Sequence, residues 1–136
     1  MINTYLNFDG KCEEAFKLYA KVLGGKIENM MPFEGSPAAE GMPPEFRKKI
    51  LHVMMSLPGG TMLMASDCPP GRFDKPQGFS VNISVKTPAE AERIYAALSA
   101  GGQITMPLSE TFWAQKFGMF VDKFGTPWMI NCEKPA

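Results

Sequence analysis

Histidine and cysteine are scarce in this 136-residue chain, and long apolar runs are absent. The one histidine is His52, and the three cysteines, Cys12, Cys68 and Cys132, show no Cys-x-x-Cys spacing. An odd number of unpatterned cysteines is typical of reduced thiols in a reducing compartment. No segment reaches the ~20 apolar residues that span a bilayer, and the N-terminus lacks the basic and apolar regions of a signal peptide. We therefore expect a cytoplasmic protein without a membrane partner.

A surplus of positive charge is also lacking. The 14 basic residues balance the 14 acidic ones, and the run Arg-Lys-Lys at 47–49 is isolated. Proteins that bind nucleic acid phosphates need a basic surplus or a basic patch. The sequence therefore predicts no nucleic-acid partner. A hydrophobic content of 45% and a charged content of 21% are ordinary for one globular domain with a core.

An internal repeat organises the chain. Residues 13–27, "EEAFKLYAKVLGGKI", resemble residues 89–104, "AEAERIYAALSAGGQI", and both stretches carry apolar residues at helical spacing before a Gly-Gly stop. Residues 59–67, "GGTMLMASD", resemble residues 124–132, "FGTPWMINC". Each repeat therefore predicts a module of one strand, a helix and three further strands.

Together the two modules predict a single α+β domain of paired βαβββ units with curved mixed sheets. The modules cover about 1–66 and 79–136, and the Pro/Gly-rich linker 67–78 joins them. A ligand cavity can form between two curved sheets. The expected strands lie near 2–8, 26–33, 50–57 and 61–66 in the first module, and near 79–86, 103–108, 117–122 and 127–133 in the second.

The first module is longer than the second. The helices are offset by 76 residues, from Tyr19 to Tyr95, whereas the glycine turns are offset by 65, from Gly60 to Gly125. The Pro/Gly-rich segment 34–49, "EGSPAAEGMPPEFRKK", accommodates the difference because it suits neither a strand nor a long helix. It is an ordered lid, a dimer arm or a loose loop, and we expect it to lie outside the core.

Three passages are similar to recurrent passages of a known family. They are "YLNFDGKCEEAFKLYAKVLGGKI" at 5–27, "MLMASDCPP" at 62–70 and "ETFWAQKFGMFVDKFGTPWMIN" at 110–131. They resemble the PhnB-like branch of the vicinal-oxygen-chelate superfamily, which includes glyoxalase I, extradiol dioxygenases and bleomycin-resistance proteins. The resemblance implies a glyoxalase/bleomycin-resistance-like fold and a homodimer. Members are often labelled as related to 3-demethylubiquinone methyltransferase, yet this chain lacks the Gly-rich strand-to-helix loop of a Rossmann-type cofactor site.

The metal positions implied by this resemblance hold no usual ligand. Metal enzymes of the superfamily place His or Glu on the first and last strand of each module. Divalent ions of this kind need carboxylate or imidazole ligands, and sliding a strand by two residues on the same face supplies none. We therefore expect no metal and no cofactor. The aligned residues are Thr4, Met64, Ser80 and Met129, and the alternatives are Leu6, Ser66, Asn82 and Asn131.

Two side chains are candidates for catalysis. Glu110 lies beside Phe112 and Trp113, where desolvation would favour a role as general base. The alternative is a carboxylate that pairs with a nearby lysine, Lys116 or Lys123, or binds turn backbone. His52 lies in a strand pattern, where a structural or surface hydrogen bond is favoured over a catalytic dyad with Cys68.

The aromatic segment 110–117 is predicted to wall a pocket, because Phe112 and Trp113 fall between strands where pocket rims commonly lie. A dimer interface is the alternative, since aromatic residues also dominate interfaces. The predicted function is metal-independent binding of a small organic molecule. An enzyme of lyase, isomerase or dioxygenase type that uses Glu110, with or without metal, and a partner-binding dimer without a ligand remain alternatives. The predicted ligand-binding residues are Thr4, Met64, Ser66, Ser80, Asn82, Phe112, Trp113, Phe117, Met129 and Asn131.

Overall fold

The computed structural model describes residues 1–136, which divide into two compact units, Met1–Asp74 and Lys75–Ala136. Each unit has one strand, one α-helix and three further strands, so the predicted α+β fold of paired βαβββ modules is confirmed. The first unit contains β1 (Thr4–Phe8), α1 (Cys12–Leu23), β2 (Lys26–Pro32), a 3₁₀ turn (Pro37–Ala39), β3 (Ile50–Ser56) and β4 (Met62–Asp67). The second contains β5 (Val81–Ser84), α2 (Pro88–Ser99), β6 (Gln103–Ser109), β7 (Ala114–Val121) and β8 (Pro127–Glu133).

Each unit folds its four strands into one mixed sheet. The strand orders are β1-β4-β3-β2 and β5-β8-β7-β6, so the first strand of each unit pairs with the last. That pair is parallel, and the remaining pairs are antiparallel. None of the helices has the length and apolar character required to cross a membrane.

Each helix has a local sequence signal at one of its ends. Helix α1 ends at Gly24, whose φ of 69° is left-handed and suits glycine. Helix α2 begins at Thr87, whose Oγ1 accepts a hydrogen bond from the backbone N–H of Glu90 at 3.2 Å. The first N–H of α1, on Cys12, instead donates to the carboxylate of Asp67 at 3.0 Å. Asp67 also accepts from the N–H of Ile50 at 2.9 Å, so this buried carboxylate joins α1, β3 and β4.

Each helix covers one face of its own sheet. In the first unit Leu63 and Ala65 of β4 are buried on the helix side, and in the second unit Trp128 and Ile130 of β8 take the same place. Side chains alternate along a strand, so the residues between them point to the opposite side. We call that side the helix-free face of each unit. It carries the four side chains that the sequence singled out on the last strands: Met64, Ser66, Met129 and Asn131.

The sequence alignment of the first strands is off by one residue in the first unit and by two residues in the second. Tyr5 pairs with Met64, whereas Thr4 pairs with Leu63 and lies on the helix side. In the second unit Asn82 pairs with Met129, and Ser80 lies just before β5. The strands are therefore offset by 77 residues, from Tyr5 to Asn82, although the helices are offset by 76. A one-residue slip moves a side chain to the other face, so Tyr5 and not Thr4 lies beside Met64.

The segment 34–49 is an ordered loop closed at its base. The backbone N–H of Phe33 donates to the carbonyl of Lys49 at 3.0 Å, and that of Glu34 donates to the carbonyl of Arg47 at 2.8 Å. Phe33 is buried, and its ring centroid lies 5.5 Å from that of Phe46. These contacts support the ordered alternative over the loose loop.

Candidate functional site

The helix-free face of the second unit combines amide, hydroxyl, thioether and aromatic side chains. The register places Asn82 beside Met129 and Ser84 beside Asn131. On the other side of β8, the register places Met119 beside Met129 and Phe117 beside Asn131. The polar groups therefore lie towards β5 and the apolar groups towards β7. Four of these residues were predicted from the sequence, namely Asn82, Phe117, Met129 and Asn131, and two were not, namely Ser84 and Met119.

Trp113 lies against this face. It occupies the bend between β6 and β7, as the sequence predicted, although β7 begins three residues earlier than expected, at Ala114 instead of residue 117. The indole Nε1 donates a hydrogen bond to Asn131 Oδ1 at 3.2 Å. The Trp113 ring lies 5.2 Å from Phe117 at an interplanar angle of 66°, an edge-to-face contact. Trp113 is nevertheless 42% exposed, so part of its ring remains open to a ligand or partner.

Phe112 lies beside Trp113 but is much more exposed. The two ring centroids are 4.9 Å apart at an angle of 79°. Phe112 is 89% exposed, whereas Phe117 is buried beneath the Trp113 ring. Phe112 therefore lies beside the Trp113 ring and mostly faces solvent.

The polar groups of this face already contact one another. The amide Nδ2 of Asn82 donates to Ser84 Oγ at 3.0 Å. The Oδ1 of Asn131 accepts a hydrogen bond from the indole N–H of Trp113. Because these groups carry no charge, they would recognise a bound molecule through hydrogen bonds and not through ion pairs.

The helix-free face of the first unit holds a tyrosine and the one histidine. The hydroxyl of Tyr5 lies 3.3 Å from His52 Nδ1, and their rings are 5.8 Å apart at 28°. Met64 and Ser66 lie on the same face, where Met64 pairs with Tyr5 in the register. His52 therefore makes the surface hydrogen bond that the sequence favoured. A thiolate at Cys68 is opposed by burial and by the charge of Asp67, which both raise the pKa of that thiol.

Glu110 is not buried by the aromatic residues next to it. Its side chain is 70% exposed, and its Oε2 lies 3.1 Å from Lys134 Nζ. The expected partners are occupied elsewhere, because Lys116 pairs with Glu92 at 3.5 Å and Lys123 lies over the Phe124 ring. The premise of the general-base prediction, desolvation by Phe112 and Trp113, is wrong. The Glu110 carboxylate forms a surface ion pair with a lysine, as in the alternative interpretation, but the partner is Lys134 and not Lys116 or Lys123.

The side chains at the superfamily's metal positions do not fit a divalent ion. With the corrected register they are Tyr5 and Met64 in the first unit, and Asn82 and Met129 in the second. Thioethers, an amide and a neutral phenol supply neither the charge nor the imidazole that such ions need. No group of three or more His, Cys, Asp or Glu side chains is placed to bind a metal.

A concavity lies in the first unit, at the start of α1, and the sequence did not predict it. Its volume is about 540 Å³, and Lys11, Lys48, Lys49 and Asp67 contribute to its lining. Four lysines and four carboxylates line it in total, so it has no charge preference. Asp67 already accepts two backbone hydrogen bonds there. This cleft therefore favours no ligand class.

Comparison with known proteins identifies the family. Residues 1–131 match the family described as 3-demethylubiquinone-9 3-methyltransferase. Protein YjdN from Escherichia coli is 33% identical over 141 residues, which cover 98% of this chain and 95% of YjdN. The crystal structure of protein PA1353 from Pseudomonas aeruginosa is 45% identical, covers 99% of this chain and 98% of its own, and has a TM-score of 0.89.

A PhnB protein from Bacillus cereus is also similar. It is 26% identical, with a TM-score of 0.81 over 96% of this chain and 98% of that one. More distant structures share the fold, among them a glyoxylase/bleomycin resistance protein/dioxygenase domain from Frankia sp. and the fosfomycin resistance protein FosX from Listeria monocytogenes. The chain therefore belongs to the PhnB-like family described as 3-demethylubiquinone-9 3-methyltransferase.

Proposed function

We propose that the protein binds a small planar organic molecule on the helix-free face of its second unit, without a metal ion. The observation that carries the proposal is the hydrogen bond from Trp113 Nε1 to Asn131 Oδ1, made by a ring that is still 42% exposed. A half-exposed indole that is fixed by its polar atom and by Phe117 is a preorganised wall for a flat ligand. Ligand sites commonly combine such apolar walls with a few oriented polar groups.

Metal independence is part of the proposal. The donor set at the superfamily's metal positions supports it, because Met64 and Met129 place thioethers where related enzymes hold charged ligands. In the second unit Met129 would contribute a soft apolar floor to the site, since flexible thioethers adapt to irregular shapes. Elemental analysis of protein purified without chelators tests this part, and a stoichiometric transition metal at these positions would contradict it.

Two enzymatic activities gain no support, namely general-base catalysis by Glu110 and methyl transfer. Glu110 is exposed and paired with Lys134, so it lacks the desolvated surroundings on which the general-base prediction rested. A methyltransferase activity, which the family description names, would need a site for a methyl donor. The connection from β1 to α1 is only residues 9–11 and contains one glycine, and both sheets are mixed and not doubly wound. We therefore do not propose either activity for this chain.

We also propose that the protein is a cytoplasmic homodimer. Strand β6 is the edge of its sheet, and it exposes Ile104 and Met106 by 53% and 42%. Apolar side chains on an unpaired edge strand favour association with a second copy. The three free cysteines support a reducing compartment. Light scattering at micromolar concentration tests the assembly, and a monomer would contradict the dimer.

A screen of small aromatic compounds by thermal denaturation tests ligand binding. Compounds that bind the folded state raise the unfolding midpoint in a concentration-dependent way. Trp113→Ala should abolish the shift. Tyr5→Ala is the matched control, because Tyr5 is also a half-exposed aromatic residue but lies in the first unit. If no compound stabilises the protein, or if both variants retain the shift, the site is not on this face, and a dimer without a ligand becomes the better explanation.

A further inference from the structure

We infer that the ligand of this face is uncharged and carries a carbonyl-type hydrogen-bond acceptor, which Asn131 binds through its amide nitrogen. The inference rests on the proposed function and adds the ligand's chemistry to it. Its first step is the orientation of the Asn131 amide. An indole N–H can only donate, so the Asn131 atom at 3.2 Å from Trp113 Nε1 must be the carbonyl oxygen.

This contact determines what Asn131 presents to a bound molecule. The opposite amide orientation would place two donors, the indole N–H and the amide NH₂, against each other. With the oxygen held by Trp113, both hydrogens of Nδ2 point away from the indole, and Nδ2 forms no hydrogen bond within the chain. Asn131 is partly buried, so a ligand that covers this donor must supply an acceptor. Trp113 therefore orients the Asn131 amide, as a positioning residue, and also forms a wall of the site.

The surroundings of Asn131 select against an anionic acceptor. Its register neighbours are Ser84 on β5 and Phe117 on β7, and neither carries a charge. Along β8, Met129 is also uncharged, and Glu133, which alternation places on the same face, is a carboxylate that would repel an anion. An anion buried among these groups would lose its hydration without gaining a counter-ion, which is costly. A neutral carbonyl needs only the hydrogen bond that Asn131 offers.

The flat shape follows from the Trp113 ring. Its centroid lies 5.2 Å from that of the Phe117 ring and 4.9 Å from that of Phe112, and the residue is still 42% exposed. An unsaturated ring system can stack on the exposed surface while its carbonyl reaches Asn131 Nδ2. The predicted class is therefore a planar, uncharged, conjugated carbonyl compound.

Two planar bicyclic probes separate this class from flat molecules in general. Coumarin is uncharged and carries a carbonyl acceptor, whereas indole is of similar size and offers only an N–H donor. Affinities of both are measured by ligand-observed NMR titration for the wild-type protein, Asn131→Asp, Asn131→Leu and Trp113→Phe. Asn131→Asp keeps an acceptor for the Trp113 N–H but removes the donor. Trp113→Phe keeps an aromatic ring but no longer orients the amide.

We expect coumarin to bind the wild-type protein more tightly than indole does. Both Asn131 variants should weaken coumarin about tenfold, the value of one hydrogen bond, and leave indole unchanged. Trp113→Phe should reduce the preference for coumarin over indole, a readout that a purely structural role would not change. The Asn131 side-chain amide signal in a ¹⁵N spectrum should also shift in this variant.

Three results would overturn the inference. Equal binding of coumarin and indole to the wild-type protein, or unchanged coumarin binding in both Asn131 variants, would show that no acceptor is recognised while leaving the proposed function intact. Loss of both probes in Asn131→Asp and Asn131→Leu would show that Asn131 supports the site's structure and does not bind the carbonyl. Failure of both probes to bind the wild-type protein would reject the proposed function together with the inference.

Discussion

Asp122 accepts a hydrogen bond from the indole Nε1 of Trp128 at 2.8 Å in the core of the second unit. The same carboxylate accepts from the backbone N–H groups of Phe124 and Thr126 at 2.9 and 3.0 Å, so Trp128 is joined to the turn before β8. Trp113 also donates its indole N–H to a side chain, but its ring is 42% exposed, whereas that of Trp128 is 1% exposed. The two tryptophans of the chain therefore differ in burial and not in hydrogen bonding.

This difference predicts unequal costs of truncation. Trp128→Ala should lower the free energy of unfolding by about 3–5 kcal/mol, because it removes a buried ring and its hydrogen bond to Asp122. Trp113→Ala should cost about 1 kcal/mol, since much of its ring already faces solvent. Urea denaturation of both variants measures the difference. Equal losses would mean that Trp113 is a core residue and that segment 110–117 walls no pocket. A small loss accompanied by dissociation into monomers would assign Trp113 to a dimer interface.

Gly118 is expected to tolerate no side chain. A Cβ at this position would lie 2.7 Å from the Tyr95 ring and 3.0 Å from the Cα of Leu108, closer than packed atoms approach. Gly118→Ala should therefore destabilise the protein by about 1–3 kcal/mol through overpacking. Combining it with Tyr95→Ala gives the control, because removal of the ring relieves part of the clash. Strictly additive losses in the two single variants and the double variant would contradict this explanation.

Cys12 should make the folded state less stable in alkaline solution. Burial, with added repulsion from Asp67 and Glu13, raises the pKa of its thiol well above the usual value of 9.0. The unfolded chain loses this proton near pH 9 and the folded chain keeps it, so stability is complete below pH 9 and falls above it, by up to about 1.4 kcal/mol per pH unit. Denaturation between pH 7 and 10 should show a shallower alkaline decline in Cys12→Ala. Identical slopes in the two proteins would contradict the prediction.

The ordered loop 34–49 should depend on the contact between Phe33 and Phe46. We expect trypsin to cut the native protein first in this segment, after Arg47 or Lys48, and to leave two fragments that stay folded together. Phe46→Ala should accelerate that cut several-fold, because the loop loses its packing onto a buried ring. Phe112→Ala is the control, since Phe112 is 89% exposed and belongs to the other unit. A first cut elsewhere, or equal rates in the two variants, would indicate that the backbone hydrogen bonds alone hold the loop.

Local patterns in the sequence were enough to predict the elements of both units. The helical spacing and the Gly-Gly stops predicted α1 and α2, and the repeated glycine turns predicted the final hairpin of each unit. The position of Phe112 and Trp113 between strands followed in the same way. These features depend on residues close together in the chain, where backbone preference and side-chain periodicity act directly.

The partners of the site residues could not be predicted from such patterns. Tyr5 and not Thr4 lies beside Met64. The first strand is separated from its helix by one more residue in the first unit than in the second. Because side chains alternate with a period of two, this one residue changes which side chain faces the site. Trp113 binds Asn131 at a separation of 18 residues, and Glu110 binds Lys134 instead of a nearer lysine. Which side chains meet depends on how β5, β7 and β8 pair, and strand pairing brings together residues whose separation in the sequence carries no signal of their contact.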